Sequence, residues 1–301
     1  MYRLTTSAVL VVAACGARLS GNAIEAEVLD ATAPPPPDDA GGPSSTDAAA
    51  LGPWSTPGKV TVAATAGAED DVTLSSTALE MIFALAGTNG KDLYYTSRAS
   101  IGAAWAPLTR LPFDTASSEE APRFSGDDRT LYFASDRGSD NLDIYAVTRP
   151  IAGSTLWGTP RVLAGVNTTA TEKWFSPCGA DRYVVVRSTP DAGTDLLEGT
   201  LGGPAPAPIT SLNSADGETG AFLTQDCLTI YFASFRVTPE KIFVSHRAAM
   251  TAPWPAPSPV DEFKITGGNG NQEDPWLSAD GRTFAFASDA GGDKDIYLST
   301  R

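Results

Sequence analysis

One block of residues recurs five times after residue 53, and the recurrence limits the chain to a radial or stacked β architecture. The clearest copy reads Arg123-Phe124-Ser125-Gly126-Asp127-Asp128-Arg129-Thr130-Leu131-Tyr132-Phe133-Ala134-Ser135-Asp136, followed by Asp143-Ile144-Tyr145. The last copy, Trp276-Leu277-Ser278-Ala279-Asp280-Gly281-Arg282-Thr283-Phe284-Ala285-Phe286-Ala287-Ser288-Asp289, ends on Asp295-Ile296-Tyr297. Three weaker copies keep the order, and the anchor hydroxyls fall at Ser75, Ser125, Ser176, Thr224 and Ser278, spaced 50, 51, 48 and 54 residues apart. A repeat of this length with turn residues between short β-rich runs holds four strands. A short apolar strand runs into the hydroxyl, a turn follows, and two more strands surround a Gly/Asp-rich turn. A fourth strand carries a Trp with nearby prolines, at Trp105, Trp157 and Trp254, which suits an outer edge.

The ends of the repeat region complement each other. Trp54-Ser55-Thr56-Pro57-Gly58-Lys59-Val60 matches a fourth strand with no repeat before it, and the fifth copy reaches Arg301 without a fourth strand of its own. Pairing the two removes the exposed edges of an open array. The expected fold is all-β: a five-bladed β-propeller of four-stranded blades, closed by the N-terminal strand on the C-terminal blade. The pattern Pro-x-x-Ser-x-Asp-Gly-Arg-x-Leu-x-Phe-x-Ser-Asp-Arg…Asp-Ile-Tyr resembles the PD40, or WD40-like, repeat of TolB-type proteins across residues 54–301. That resemblance implies a secreted or periplasmic scaffold binding through a face or its central channel, often without catalysis.

Residues 1–14 have the form of a secretory signal, with Arg3 ahead of the apolar run Ala8-Val9-Leu10-Val11-Val12-Ala13-Ala14. The run is shorter than the roughly 20 residues that span a bilayer. Val12-Ala13-Ala14-Cys15-Gly16 resembles the lipobox of bacterial lipoproteins, which implies lipidation of Cys15. Gly16, where an inner-membrane retention signal often has Asp, points to the outer membrane. Residues 15–53, with four prolines at 34–37, read as a tether with almost nothing to bury. The expected product is a lipid-anchored, monomeric domain of the cell envelope, 54–301, that touches the membrane through its anchor only.

With 21 basic against 36 acidic residues the net charge is −15, which disfavours nucleic-acid binding. One histidine, His246, excludes a two-His metal centre and reads as a surface residue. No cofactor or resident metal is expected. Acidic residues recur before the inner strand: Asp70, Glu120 and Glu273 in register, Glu172 one step later and Glu218 one step earlier. They read either as an electronegative ring at the channel mouth, attracting a cation or a basic partner loop, or as caps for backbone N–H groups. Two turns, with Asp136, Asp140 and Asp143, then Asp289, Asp293 and Asp295, offer oxygen ligands for Ca²⁺ or simply suit tight turns. Cys178 and Cys227 occupy adjacent positions of one turn in neighbouring repeats, and a disulfide requires that their Cα atoms lie about 4.4–6.8 Å apart. The tryptophans read as a platform for sugars or as packing between blades.

These features favour a non-catalytic scaffold for a protein or peptide partner. The alternative is a glycan-binding or glycan-cleaving propeller using Asp70, Glu120 and Glu273. Such an enzyme needs two carboxyls about 5–9.5 Å apart, one with a raised pKa.

Overall fold

The computed structural model describes residues 51–301, apart from positions 64, 66, 89, 191–192 and 267. Cys15, the signal and most of the tether lie outside the described residues. No helix among the described residues is long and apolar enough to cross a membrane.

A two-residue strand β1 (Gly58–Lys59) comes first. Blade 1 follows as β2 (Glu69–Leu74), β3 (Glu80–Ala86), β4 (Lys91–Ser97) and β5 (Thr109–Arg110). Blade 2 is β6 (Glu119–Phe124), β7 (Thr130–Ser135), β8 (Asp143–Thr148) and β9 (Arg161–Val162). Blade 3 is β10 (Glu172–Cys178), β11 (Arg182–Ser188), β12 (Thr194–Thr200) and β13 (Ala207–Pro208). Blade 4 is β14 (Glu218–Leu223), β15 (Thr229–Ser234), β16 (Lys241–His246) and β17 (Ser258–Pro259). Blade 5 contributes β18 (Gln272–Leu277), β19 (Thr283–Ser288) and β20 (Asp295–Thr300), and takes β1 as its outer strand. Five antiparallel four-stranded sheets form a propeller, and β18 packs back against β2.

The ring closes as the sequence implies. Gly58 pairs with Leu298 and Lys59 with Tyr297, while Val60 donates its N–H to Ile296 at 2.8 Å. The core lies between blades. At the centre of each second strand sits Phe83, Phe133, Val185, Phe232 or Phe286, all fully buried. These stand opposite Tyr94, Tyr145, Leu197, Phe243 and Tyr297 on the third strands. Burial of each such side chain stabilises the fold by roughly 1.5–3 kcal/mol.

Three details differ from the sequence expectation. The fourth strands are two residues long, and Trp54, Trp105, Trp157 and Trp254 sit in the loops four residues ahead of them. There each indole meets an arginine that follows a third strand. Arg301 lies 4.2 Å from the ring of Trp54, Arg98 4.4 Å from Trp105, Arg149 4.9 Å from Trp157 and Arg247 4.0 Å from Trp254. The Nε of each arginine also donates to a carbonyl of the first hairpin turn. Blade 3 lacks both partners, with Leu201 and Pro206 in that region.

The second difference is the blade 3 register. Ser176 pairs with Val184, as Arg123 pairs with Tyr132, so Ser176 is two residues short of the anchor position. Cys178 occupies it instead, at the end of β10, and is bonded to Cys227 in the first turn of blade 4, with Cα atoms 5.4 Å apart. The third difference lies within the inner strands. Each carries a bulge centred on a left-handed residue: Asp71, Ala121, Trp174, Gly220 or Asp274, with φ of 55°, 50°, 49°, 55° and 54°. Four of these are not glycine, a conformation that costs about 1–2 kcal/mol each and persists only where surroundings enforce it.

Two outcomes are expected. Deleting residues 51–60 exposes the β20 edge, and light scattering should find oligomers in place of monomer. Replacing both Cys178 and Cys227 by Ser frees a 49-residue separation and should lower thermal stability by about 2–4 kcal/mol.

Candidate functional site

The inner strands deliver charged side chains to one end of the channel. Asp70, Glu120 and Glu273 occupy the second position of β2, β6 and β18, in one register. Lysines lie between them. Lys91 Nζ is 2.6 Å from Asp70, 3.1 Å from Asp71 and 3.5 Å from Glu120. Lys173 binds Glu120 at 2.6 Å, and Lys294 reaches Glu273 at 2.9 Å and Asp70 at 3.3 Å. Burial alone would lower the Lys91 and Lys294 pKa values, but the surrounding carboxylates outweigh it and both are raised. The acidic ring is therefore a neutralised lattice.

Glu172 and Glu218 do not belong to that ring. They share the preceding register with Glu69 and Glu119, and all four are fully buried. Each takes a hydrogen bond from the hydroxyl four residues earlier: Thr65, Thr115, Thr168 and Ser214. Each also accepts that residue's backbone N–H, so these carboxylates fasten the loop entering their own blade. Arg137, Arg187 and Arg236 pair with Glu119, Glu172 and Glu218. The shift in blade 3 explains the error for Glu172: aligned on Cys178, it moves back two positions and Lys173 enters the ring register. The Thr/Ser-x-x-x-Glu spacing is visible in the sequence and fits all four, though it also fits Ser76 with Glu80, Thr194 with Glu198 and Ser258 with Glu262.

Deeper in, the bulge residues of three blades meet. Trp174 donates its indole N–H to Asp71 Oδ1 and Asp274 Oδ1, both at 2.8 Å, and the Asp71 N–H donates to Asp274 Oδ2 at 3.0 Å. Lys173 lies 4.2 Å from the Trp174 ring. The two aspartates shift in opposite directions. Burial, then the nearby Asp71 and Asp70, push the Asp274 carboxyl well above the usual carboxylate value. Asp71 moves downward, because Lys91 and Lys173 outweigh its burial. Nearby, Glu240 is pushed up to about 8 by burial and by Glu273. Arg123 crosses below the aspartates, with Nη2 3.3 Å from the Ala221 carbonyl and its guanidinium over Phe222. Sequence reasoning missed Lys91, Lys173, Lys294 and this use of Trp174, because nothing local marks them.

Among the described residues, Asp70, Glu273 and Asp274 form one acid group compact enough for an ion, and Asp92, Asp114 and Glu119 another. The Lys294 ammonium already sits in the first. In the turns named for calcium, Asp136 and Asp289 accept backbone N–H groups of Ser118 and Asn271, and Asp295 pairs with Lys59 at 2.6 Å. Asp143 accepts from Ser139. A cleft of about 530 Å³ lies beside Trp157 at the rim of blade 2. Trp276 is buried against Phe222. His246 is exposed and bonds Thr229.

The sequence matches no protein-family model and no curated protein. Solved structures are similar in fold. An α-L-arabinofuranosidase from Podospora anserina is 14% identical with a TM-score of 0.57, the match covering 83% of this chain and 96% of that one. An endo-arabinase from Bacteroides thetaiotaomicron is 10% identical with a TM-score of 0.53, over 83% and 98% of the two chains. TolB from Acinetobacter baumannii is 11% identical with a TM-score of 0.47, over 80% of this chain and 56% of that one.

The bonding of this site is testable in the melting temperature at pH 7. Asp274→Asn sets an amide NH2 against the N–H of Trp174 or of Asp71 and should cost about 1–3 kcal/mol. Asp71→Asn removes a charged partner from buried lysines and should cost roughly 3 kcal/mol.

Proposed function

We propose that this chain is a lipid-anchored, non-catalytic propeller scaffold of the cell envelope that offers an acidic face to a basic protein or peptide segment. The observation that supports this most is the excess of exposed acids on the loops at the channel-mouth end of the blades. The end of each third strand lies beside the first hairpin turn, so both belong to one face; Thr148, for example, pairs with Thr130. On that face the connections to the fourth strands, residues 99–108, 150–160, 202–206 and 248–257, contain no charged residue, while the hairpin turns beside them expose Asp127, Arg129, Asp181, Asp226, Asp280 and Arg282. Their tips hold the exposed Ile101, Ile151, Leu156 and Met250. Residues 51–58, also uncharged, enter on the same side, where Leu51 lies against Gly281. The opposite face exposes Asp140, Asp216, Asp261, Glu262 and Asp293, with Lys264 among them. Such a field steers a basic partner at a rate that falls with ionic strength.

The channel chemistry favours a scaffold over the glycan-cleaving alternative. A glycosidase needs one carboxyl free to give a proton and another free to attack or to activate water. Here Asp70, Glu120 and Glu273 are each tied to lysine. The Asp274 carboxyl is shifted upward, but it is 1% exposed and both oxygens accept hydrogen bonds.

Three measurements test this reading. Metabolic labelling with a radioactive fatty acid should mark the wild-type chain and not Cys15→Ser. Lysine substitution of Asp140, Asp216, Asp261, Glu262 and Asp293 together should weaken salt-sensitive capture of a polylysine probe more than lysine substitution of Asp127, Asp181, Asp226 and Asp280, whereas Ile101→Ser with Ile151→Ser should leave it intact. Release of sugar from arabinan by the purified domain, lost in Glu273→Gln, would replace the scaffold by an enzyme.

A further inference from the structure

Two successive loops between blades share one device, and the loop before them carries a chemical variant of it. Five residues before the buried glutamate stand Asn167 in the loop from blade 2 to blade 3 and Asn213 in the next loop. Asn167 accepts the Ile144 N–H at 2.8 Å and donates its amide to the Ile144 carbonyl at 3.0 Å. Asn213 does the same with Leu196, at 2.9 and 3.2 Å. Each side chain reads both backbone groups of one third-strand residue and so staples the loop to the blade it leaves.

The loop from blade 1 to blade 2 has Asp114 at this position. Asp114 Oδ2 accepts the Leu93 N–H at 2.9 Å, as the asparagines do in their blades. The other oxygen, Oδ1, takes the place of the amide nitrogen, where the backbone presents only an acceptor. It is buried without a partner, on a side chain that is 1% exposed. A carboxylate leaves two oxygens facing each other there, and a carboxylic acid restores the missing donor.

We propose that Asp114 is a proton-operated clamp: protonated, it joins the β5–β6 loop to the third strand of blade 1, and deprotonated, it releases that end of the loop. The neighbours agree in sign. Asp92 from β4 and Glu119 from β6 have carboxylate oxygens within 4.8 Å of Asp114. Arg110 from β5 lies 3.3 Å from Asp114 and also binds Asp92, and Arg137 from the β7–β8 turn binds Glu119. Two guanidiniums thus balance two carboxylates, and a third negative charge has no counterion. Burial, then Glu119, pushes the Asp114 carboxyl up to about 7. A folded pKa above the unfolded value means the stabilisation is complete below about pH 4 and disappears as pH rises through 7. A metal ion is the lesser occupant, since Arg110 already supplies positive charge and Glu119 is committed to Thr115, Ser135 and Arg137.

The test compares melting temperatures of the wild type and Asp114→Asn at pH 5.5 and pH 8.5. The variant carries the amide found at Asn167 and Asn213, so its advantage over the wild type should be larger at pH 8.5 by about 3 °C or more. An equal difference at both pH values overturns the proposal. Asn167→Asp should import the same pH dependence into the next loop. Should that variant not fold, the carboxyl carbon shift of Asp114 in the wild type decides: a midpoint near 7 supports the clamp, and one near 4 removes it. Stabilisation at pH 8.5 by 5 mM Ca²⁺, seen in the wild type and lost in Asp114→Asn, assigns the position to a cation and overturns the proton reading.

Discussion

Two backbone pairings, Gly58 with Leu298 and Lys59 with Tyr297, hold the ends of the repeat region together. Every blade contacts two others, so each hydrophobic layer depends on its neighbours being in place. The layer between blades 1 and 5 combines Val72, Met81 and Phe83 with Ala285, Ala287 and Ile296, from opposite ends of the sequence. Without β1 the outer edge of β20 would be unpaired and that layer would face water on one side. The contacts that close it are far apart in sequence, which makes them entropically expensive to form and available only once the other blades are built.

Within this ring the stabilising devices are distributed with substitutions. Four blades hold an arginine against a tryptophan at the hairpin end, and the third blade has lost both. The only disulfide among the described residues lies where that blade meets the fourth, at Cys178 and Cys227. The two devices occupy the same end of the blade. On the opposite end, arginines hold three of the four buried glutamates. The exception is Glu69, beside the closure seam, whose Oε2 is unpaired and whose pKa is raised by burial and by nearby Asp295. The seam is thus the least compensated of the inter-blade junctions on that side.

The channel shows the same fold used for a different purpose. Register places acids and lysines at equivalent positions, and the ring geometry makes residues far apart in sequence adjacent. Their near-complete mutual neutralisation leaves little chemistry available in the lumen. Charge is left free on the outer loops, where exposed acids outnumber exposed bases on both faces.

Much of the architecture was legible in the residues themselves. Blade number, strand order and the pairing of Lys59 with the last blade follow from period, alternation and turn residues, because those signals act over a few positions. The hydroxyl-to-glutamate spacing of Thr115 to Glu119 is equally local. What the tertiary structure decided lies across the axis. Trp174 meets Asp71 and Asp274 over separations of 103 and 100 residues, and Asp71 meets Asp274 over 203. The lysines that neutralise the mouth, the upward shift of the Asp274 carboxyl and the orphaned oxygen of Asp114 depend on which strangers a fold makes into neighbours. Distance between charges and burial from water set those properties, and neither is a function of position along the chain.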